Sequence, residues 1–378
     1  MVDLGTLGGR NSYAYAIDQR GQVVGASETA AGAVHAFFWS GGRMTDLGTL
    51  PGRRSSSAVA VNDSGEVAGV SFDGSLSRPE RARAFLWRGR RMIDLGTLGG
   101  ASSWVTGLNA RGQVVGWATT RSGFRHAFVW AGGRITDLGT LARGATTHDA
   151  SSWAVAINDH GEVVGTTDAG PSSDIRTTAF LWRGRKLVEA CGAPRNRRDS
   201  FYGIALNERG WVVANGEGVS PLLCFGGRRT SLGTPLGGYP EAAALNDRGQ
   251  IVGESLTSAR LIRAFLWEQG KMLELPTPPG MQSQAVAINE RGQVVGWAGN
   301  SSLRSRATTM RAFVWQRTQS VELPALPGGN KTTVAGGRYA EPPGAQVLDE
   351  RGRIAGWSTT RSGARHAVLW LPRNSADR

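Results

Sequence analysis

The chain has 378 residues, 40% of them apolar, enough for a sizeable core, and no apolar run of about 18 residues that would read as a membrane helix. It has two cysteines and no Cys/His spacing suited to zinc, which excludes a disulfide framework and a zinc-ribbon class. The net charge of +13 invites a polyanion, but nearly all of it is arginine spread along the whole chain, with lysine only at Lys186, Lys271 and Lys331. A nucleic-acid binder would concentrate that charge on one face with interleaved aromatics, so nucleic acid is not the expected partner.

In chain order, the sequence opens on a strand-like run, Val2 to Leu7, and then cycles through one pattern. Each cycle reads roughly Ser-x-Ala-x-Ala-Ile-Asn-Asp-x-Gly-Gln-Val-Val-Gly, a variable stretch, Ala-Phe-Leu-Trp, and Asp-Leu-Gly-Thr-Leu. The register comes from Asp18, Asn62, Asn109, Asn158, Asn207, Asn246, Asn289 and Asp349, spaced 44, 47, 49, 49, 39, 43 and 60 residues apart. A period of about 40–50 residues is that of four-stranded propeller blades.

The second copy parses into strands a to d as Ala58–Val61, Glu66–Gly69, Ala84–Trp87 and Met92–Leu95. Val, Ile, Phe and Trp fill these runs, and Gly, Asn, Asp and Arg-Gly punctuate them. The last copy ends on strand c, His366 to Trp370, without a following strand d. The N-terminal run can supply it. The reading is therefore an all-β, closed eight-bladed β-propeller, one domain over 1–378, with the N-terminal strand completing the last blade and hiding the open sheet edges.

The strings His35-Ala36-Phe37, His126-Ala127-Phe128, Asp46-Leu47-Gly48-Thr49-Leu50 and Ile157-Asn158-Asp159 with Gly161, Val163, Val164 and Gly165 resemble the HAF family of bacterial repeat proteins. The resemblance covers nearly the whole chain. It implies an extracellular or periplasmic repeat protein and brings no catalytic motif. Repeat sequence begins at residue 3, so no signal peptide is visible and a cytoplasmic location stays open. The His of His-Ala-Phe gives way to Arg83, Arg263, Arg311 and Thr178 elsewhere, which suits a strand-edge position and not a metal ligand.

What the copies share reads as scaffold, so function is sought where copies differ. The a–b and c–d turns are short and uniform, whereas the b–c and d–a loops vary, so the site belongs on the face carrying the variable loops. The residue before each small-x-small pair is Tyr13, Ser57, Trp104, Trp153, Tyr202, Glu241, Gln284 and Gly344. Tyr13, Trp104, Trp153 and Tyr202 at one level would stack on a sugar or flat ligand, with Glu241 and Gln284 as hydrogen-bonding groups; the alternative is packing between blades. One position earlier, Ser12, Ser56, Ser103, Ser152 and Ser283 agree, and Phe201, Pro240 and Pro343 do not.

The variable loops add Arg143, Arg195, Arg197, Arg338 and Tyr339 as candidate ligand-binding residues, the last two inside a long insert, Pro324 to Ala345, that could fold as a lid. Trp117 to Gly123 nearly repeats as Trp357 to Gly363, which means duplicated sites or recent duplication. Cys191 and Cys224 could bridge neighbouring blades or be two buried thiols. The expected function is binding of a carbohydrate, another polar or anionic small molecule, or a protein partner, by a monomer with no cofactor and no metal. The alternative is a lyase, cyclase or isomerase working by acid–base chemistry near the axis, for which His148, Asp149 and Glu241 are the available catalytic groups.

Overall fold

The computed structural model describes residues 1–75, 78–141, 150–169, 176–192, 200–300, 310–316, 319–335 and 346–372. They form eight four-stranded antiparallel sheets in a ring, with no helix among the described residues. Blade 1 comprises Gly8–Ile17, Val23–Thr29, Val34–Ser40 and Arg43–Asp46. Blade 3 comprises Gly99–Leu108, Val114–Thr120, Arg125–Ala131 and Arg134–Gly139. The last blade is ordered Val2–Gly5, Arg365–Trp370, Ile354–Thr359, Thr332–Thr333, so the N-terminal strand is its outermost member, with Val2 opposite Leu369.

In blades 1 to 7 the first strand lies innermost, beside the first strands of its neighbours in that series. Small residues there allow the crowding: Ala14, Ala58, Ala154 and Ala285 are fully buried. Apolar clusters fill the gaps between blades, as where Val24, Ala36 and Leu47 of blade 1 meet Ala58, Val67 and Phe85 of blade 2. Blades 1 to 7 each carry a β-bulge in the inner strand, for example between Ala14 and Ala16. The strand beside the bulge presses close. A Cβ on Gly25 would lie 1.9 Å from the Tyr13 carbonyl oxygen, which explains the glycine that ends each Val-Val-Gly.

The Asn of each a–b turn has two tasks. Asn62 Oδ1 accepts the N–H groups of Ser64 and Glu66, while Gly65 takes φ +73°. Its Nδ2 donates to the Asn109 carbonyl of the next blade at 3.1 Å, and the relay continues through Asn109, Asn158, Asn207, Asn246 and Asn289 to Asp349. Aspartate has no such donor. At Asp349, Arg353 pairs with the carboxylate and reaches across to the Gln19 and Arg20 carbonyls of blade 1. At Asp18 no side chain takes over, and its Oδ2 is buried without a hydrogen-bond partner among the described residues.

The repeated Ser is a second inter-blade stitch. Ser152 Oγ accepts the Ala127 N–H at 2.9 Å and donates to the Gly139 carbonyl at 2.6 Å, tying the inner strand of blade 4 to the two outer strands of blade 3. Ser12 and Ser56 do the same for their seams. The eighth copy corrects the sequence register. Its inner strand is Thr332–Thr333, so the Ser level is held by Thr332, which accepts the Ala312 N–H, and not by Pro343; the next level is held by Thr333, not Gly344. Part of the long insert therefore falls inside strand a and not in the d–a loop before it; residues 336–345, with Arg338 and Tyr339, lie outside the described residues.

Candidate functional site

The His-Ala-Phe slot is accounted for by pairing within each blade. His35, His126 and His366 each place Nδ1 2.9 Å from a carboxylate oxygen of strand d, on Asp46, Asp137 and Asp3. Arg83, Arg263 and Arg311 take the same slot and pair with Asp94, Glu274 and Glu322. Burial would raise the Asp137 carboxyl, but the hydrogen bonds from His126 and the Gly139 N–H outweigh it and hold the group below its usual range. Either side chain brings a ring or guanidinium nitrogen to the strand d carboxylate, which is why His and Arg exchange.

The level singled out in the sequence is one level in space. Tyr13, Trp104, Trp153, Tyr202, Glu241 and Gln284 all sit just before the bulge, opposite Ala26, Trp117, Thr166, Asn215, Glu254 and Trp297 of strand b. The four aromatics and Glu241 are partly exposed; Gln284 is buried and accepts a 2.8 Å bond from Trp297 Nε1. Trp104 packs toward Val70, Phe72 and Ala82 of blade 2, so one side of it serves the seam.

Strand b contributes residues that sequence reasoning did not assign to a site. Trp104 and Trp117 lie parallel, ring centroids 6.3 Å apart, and the Arg125 guanidinium lies 4.4 Å over the Trp117 ring. In blade 8, Arg365 lies 5.0 Å over Trp357 and donates to the Tyr13 hydroxyl at 3.2 Å. The signal for both was the near-repeat of Trp117 to Gly123 as Trp357 to Gly363.

His148, Asp149, Arg143, Arg195, Arg197, Arg338 and Tyr339 lie outside the described residues. Of the catalytic set of the enzyme reading, Glu241 alone lies among the described residues, and it sits opposite a second carboxylate, Glu254. No group of three or more His, Cys, Asp or Glu suited to a metal ion occurs among the described residues.

The opposite face carries a ring that the basic composition hides. The residue after each turn Asn is acidic in six blades. Asp159, Glu208, Asp247, Glu290 and Glu350 each accept a backbone N–H from the preceding blade. Burial, with neighbouring carboxylates adding to it, pushes Glu208 and Glu290 above the usual range.

Cys191 and Cys224 form a disulfide with Cα atoms 5.3 Å apart. Cys191 lies just beyond strand d of blade 4, Lys186–Glu189, and Cys224 lies in strand c of blade 5, Val219–Phe225. A small cleft beside it is lined by Thr177, Thr178, Ala179, Gly192 and Phe201.

Eight four-stranded blades around an axis define a β-propeller. Among solved structures, the chain is similar to the β-propeller domain of the Trilobed protease from Pyrococcus furiosus, with TM-score 0.52, 9% identity, and coverage of 83% of this chain and 98% of that one. That propeller is described as having an open velcro topology, whereas here the N-terminal strand pairs into the last sheet. The chain is also similar to the Pyrococcus horikoshii acylaminoacyl peptidase, TM-score 0.46 at 10% identity over 83% of this chain and 52% of that one. A puromycin-hydrolyzing peptidase from Mycobacterium tuberculosis gives 0.46 at 14% identity, covering 92% and 57%. The chain spans about half the length of these last two. No family model matches the chain, and no curated protein sequence matches it.

Proposed function

We propose that this β-propeller is a binding protein of the HAF-repeat type, whose face with the variable b–c and d–a loops takes a polar or anionic ligand of carbohydrate character. The observation that carries the reading is the inner-strand level of Tyr13, Trp104, Trp153, Tyr202 and Glu241. These positions are not repeated between blades, as scaffold positions are, and their side chains remain partly exposed. Aromatic faces with a few hydrogen-bonding groups are the usual lining of a small-molecule site. The Cys191–Cys224 bridge supports work in an oxidising compartment, in keeping with an extracellular or periplasmic protein.

The test is a titration of neutral and acidic oligosaccharides followed by calorimetry, on the wild-type chain and on Trp153→Ala and Tyr202→Ala. Binding that weakens at least ~10-fold in both variants, with unchanged thermal stability, supports the reading. Absence of binding by the wild type to any oligosaccharide of the set overturns it.

A further inference from the structure

The Trp117–Arg125 and Trp357–Arg365 pairs are not demanded by the fold. In the aligned register the place of Arg125 is taken by Val34, Ala82, Thr177, Val219, Ile262 and Met310 in blades 1, 2, 4, 5, 6 and 7. The place of Trp117 is Ala26, Val70, Thr166, Asn215, Glu254 and Trp297. Only blades 3 and 8 combine Trp with Arg, and only they share the hairpin tip. There Thr120 Oγ1 bonds Ser122 Oγ at 2.9 Å, and Thr360 bonds Ser362 identically. The arginines one residue further on, in the His-Ala-Phe slot, are neutralised by strand d. Among the described residues neither Arg125 nor Arg365 pairs with a carboxylate, and both are exposed.

We infer that Trp117–Arg125 and Trp357–Arg365 are two equivalent subsites for a carboxylate-bearing sugar, which makes the protein bivalent for an acidic polysaccharide. The inference rests on the carbohydrate reading above and narrows it. An indole fixes the plane of the guanidinium, leaving most of its five N–H donors for a planar anion. Arg365 spends one on Tyr13, and Arg125 holds its fork beside the parallel Trp104–Trp117 floor. A guanidinium edge matches a carboxylate bidentately, and an adjacent aromatic surface suits the apolar face of the sugar that carries it. A uronic acid presents both in one residue. Two like subsites on one rigid ring fit a ligand that repeats the same group, because the second contact then forms at high effective concentration.

The probes are tri-galacturonate, a long polygalacturonate, and maltotriose as the neutral control, titrated calorimetrically against the wild type, Arg125→Met, Arg365→Met and the double variant. Met310 already occupies this place in blade 7, so the substitution suits the scaffold. The expected stoichiometry for tri-galacturonate is two per chain in the wild type, one in each single variant and none in the double. Polygalacturonate should bind at least ~10² more tightly than the trimer to the wild type and lose that advantage in either single variant. Trimer binding that survives the double variant overturns the subsites and leaves the inner-strand reading standing. Maltotriose binding without tri-galacturonate binding does the same. Absence of binding by all three probes overturns both.

Discussion

Asn215 holds Ala242 by both of its backbone groups: Nδ2 donates to the Ala242 carbonyl at 3.0 Å, and Oδ1 accepts the Ala242 N–H at 2.9 Å. This bond spans the seam between blades 5 and 6. At that seam the usual stitch is lost on both sides. Pro221 stands where other blades offer the Ala N–H, and Pro240 stands where they offer the Ser hydroxyl. The two prolines are matched absences, leaving neither an orphaned donor nor an orphaned acceptor. The neighbouring seam also lacks its Ser, replaced by Phe201, and it is the one bridged by Cys191 and Cys224.

Replacing Asn215 by Ala should therefore cost more than an ordinary buried polar truncation. Two backbone groups of Ala242 lose their partner at once, so a loss of about 2–4 kcal/mol is expected. Chemical denaturation measures it. Asn215→Leu, which fills the volume without the bonds, should do no better; recovery in that variant would assign the role to packing alone.

Ser152→Ala removes one acceptor and one donor from the seam between blades 3 and 4. The buried Ala127 N–H then has no partner, and about 1–3 kcal/mol should be lost. Phe201→Ser, which places a hydroxyl at the seam that lacks one, should not show that loss. Thermal melts of the two variants side by side decide the point.

Asp18 is the seam defect with a pH signature. Burial raises its carboxyl, and the nearby Asp63 raises it further, against hydrogen bonds from the Gln22 and Arg20 N–H groups that lower it. The folded chain thus binds this proton more tightly than the unfolded chain. Its contribution is fully present below the ordinary carboxylate range and is lost as pH rises through the raised folded value. Asp18→Asn restores the donor present in six other blades. It should stabilise the protein by about 1–2 kcal/mol at neutral pH, and this advantage should shrink as the pH falls through the raised folded value of Asp18 and level off once the ordinary carboxylate range is reached. An equal gain at every pH would sink the explanation.

Reduction of the Cys191–Cys224 bridge, or the double change to Ser, releases a loop of 33 residues and should cost about 3–4 kcal/mol by chain-entropy arguments. Melting with and without reductant measures it. The double Ser variant should be insensitive to reductant.

The blade count, the strand assignments and the ring closure were legible in the sequence because each rests on local patterning repeated eight times. Asn62 and Gly65 announce a turn wherever they recur. The seams were not legible, because a stitch joins residues of different copies. Ser56 reads as a small polar residue until its hydroxyl is seen between the Ala36 N–H and the Gly48 carbonyl. The level of Tyr13 and Trp104 could be read by alignment alone. Arg125 and Arg365 could not, since a cross-strand diagonal brings each over its Trp. The eighth copy misled because its extra residues enter strand a itself, where repeat logic expects loops to absorb them.

That point of entry is the site of the bulge in the seven other blades. Strand b runs on from Ile354 to Trp357, facing Thr333 on one side and Val347 and Leu348 on the other. A bulged residue makes no ladder bond, so lengthening the chain there breaks none. A bulge on the inner strand is thus a place where a segment can enter without breaking the backbone ladder, and where the bulged residue carries a bond of its own, as Thr106 does to the Ala154 carbonyl of the next blade, that bond is what a graft would have to keep.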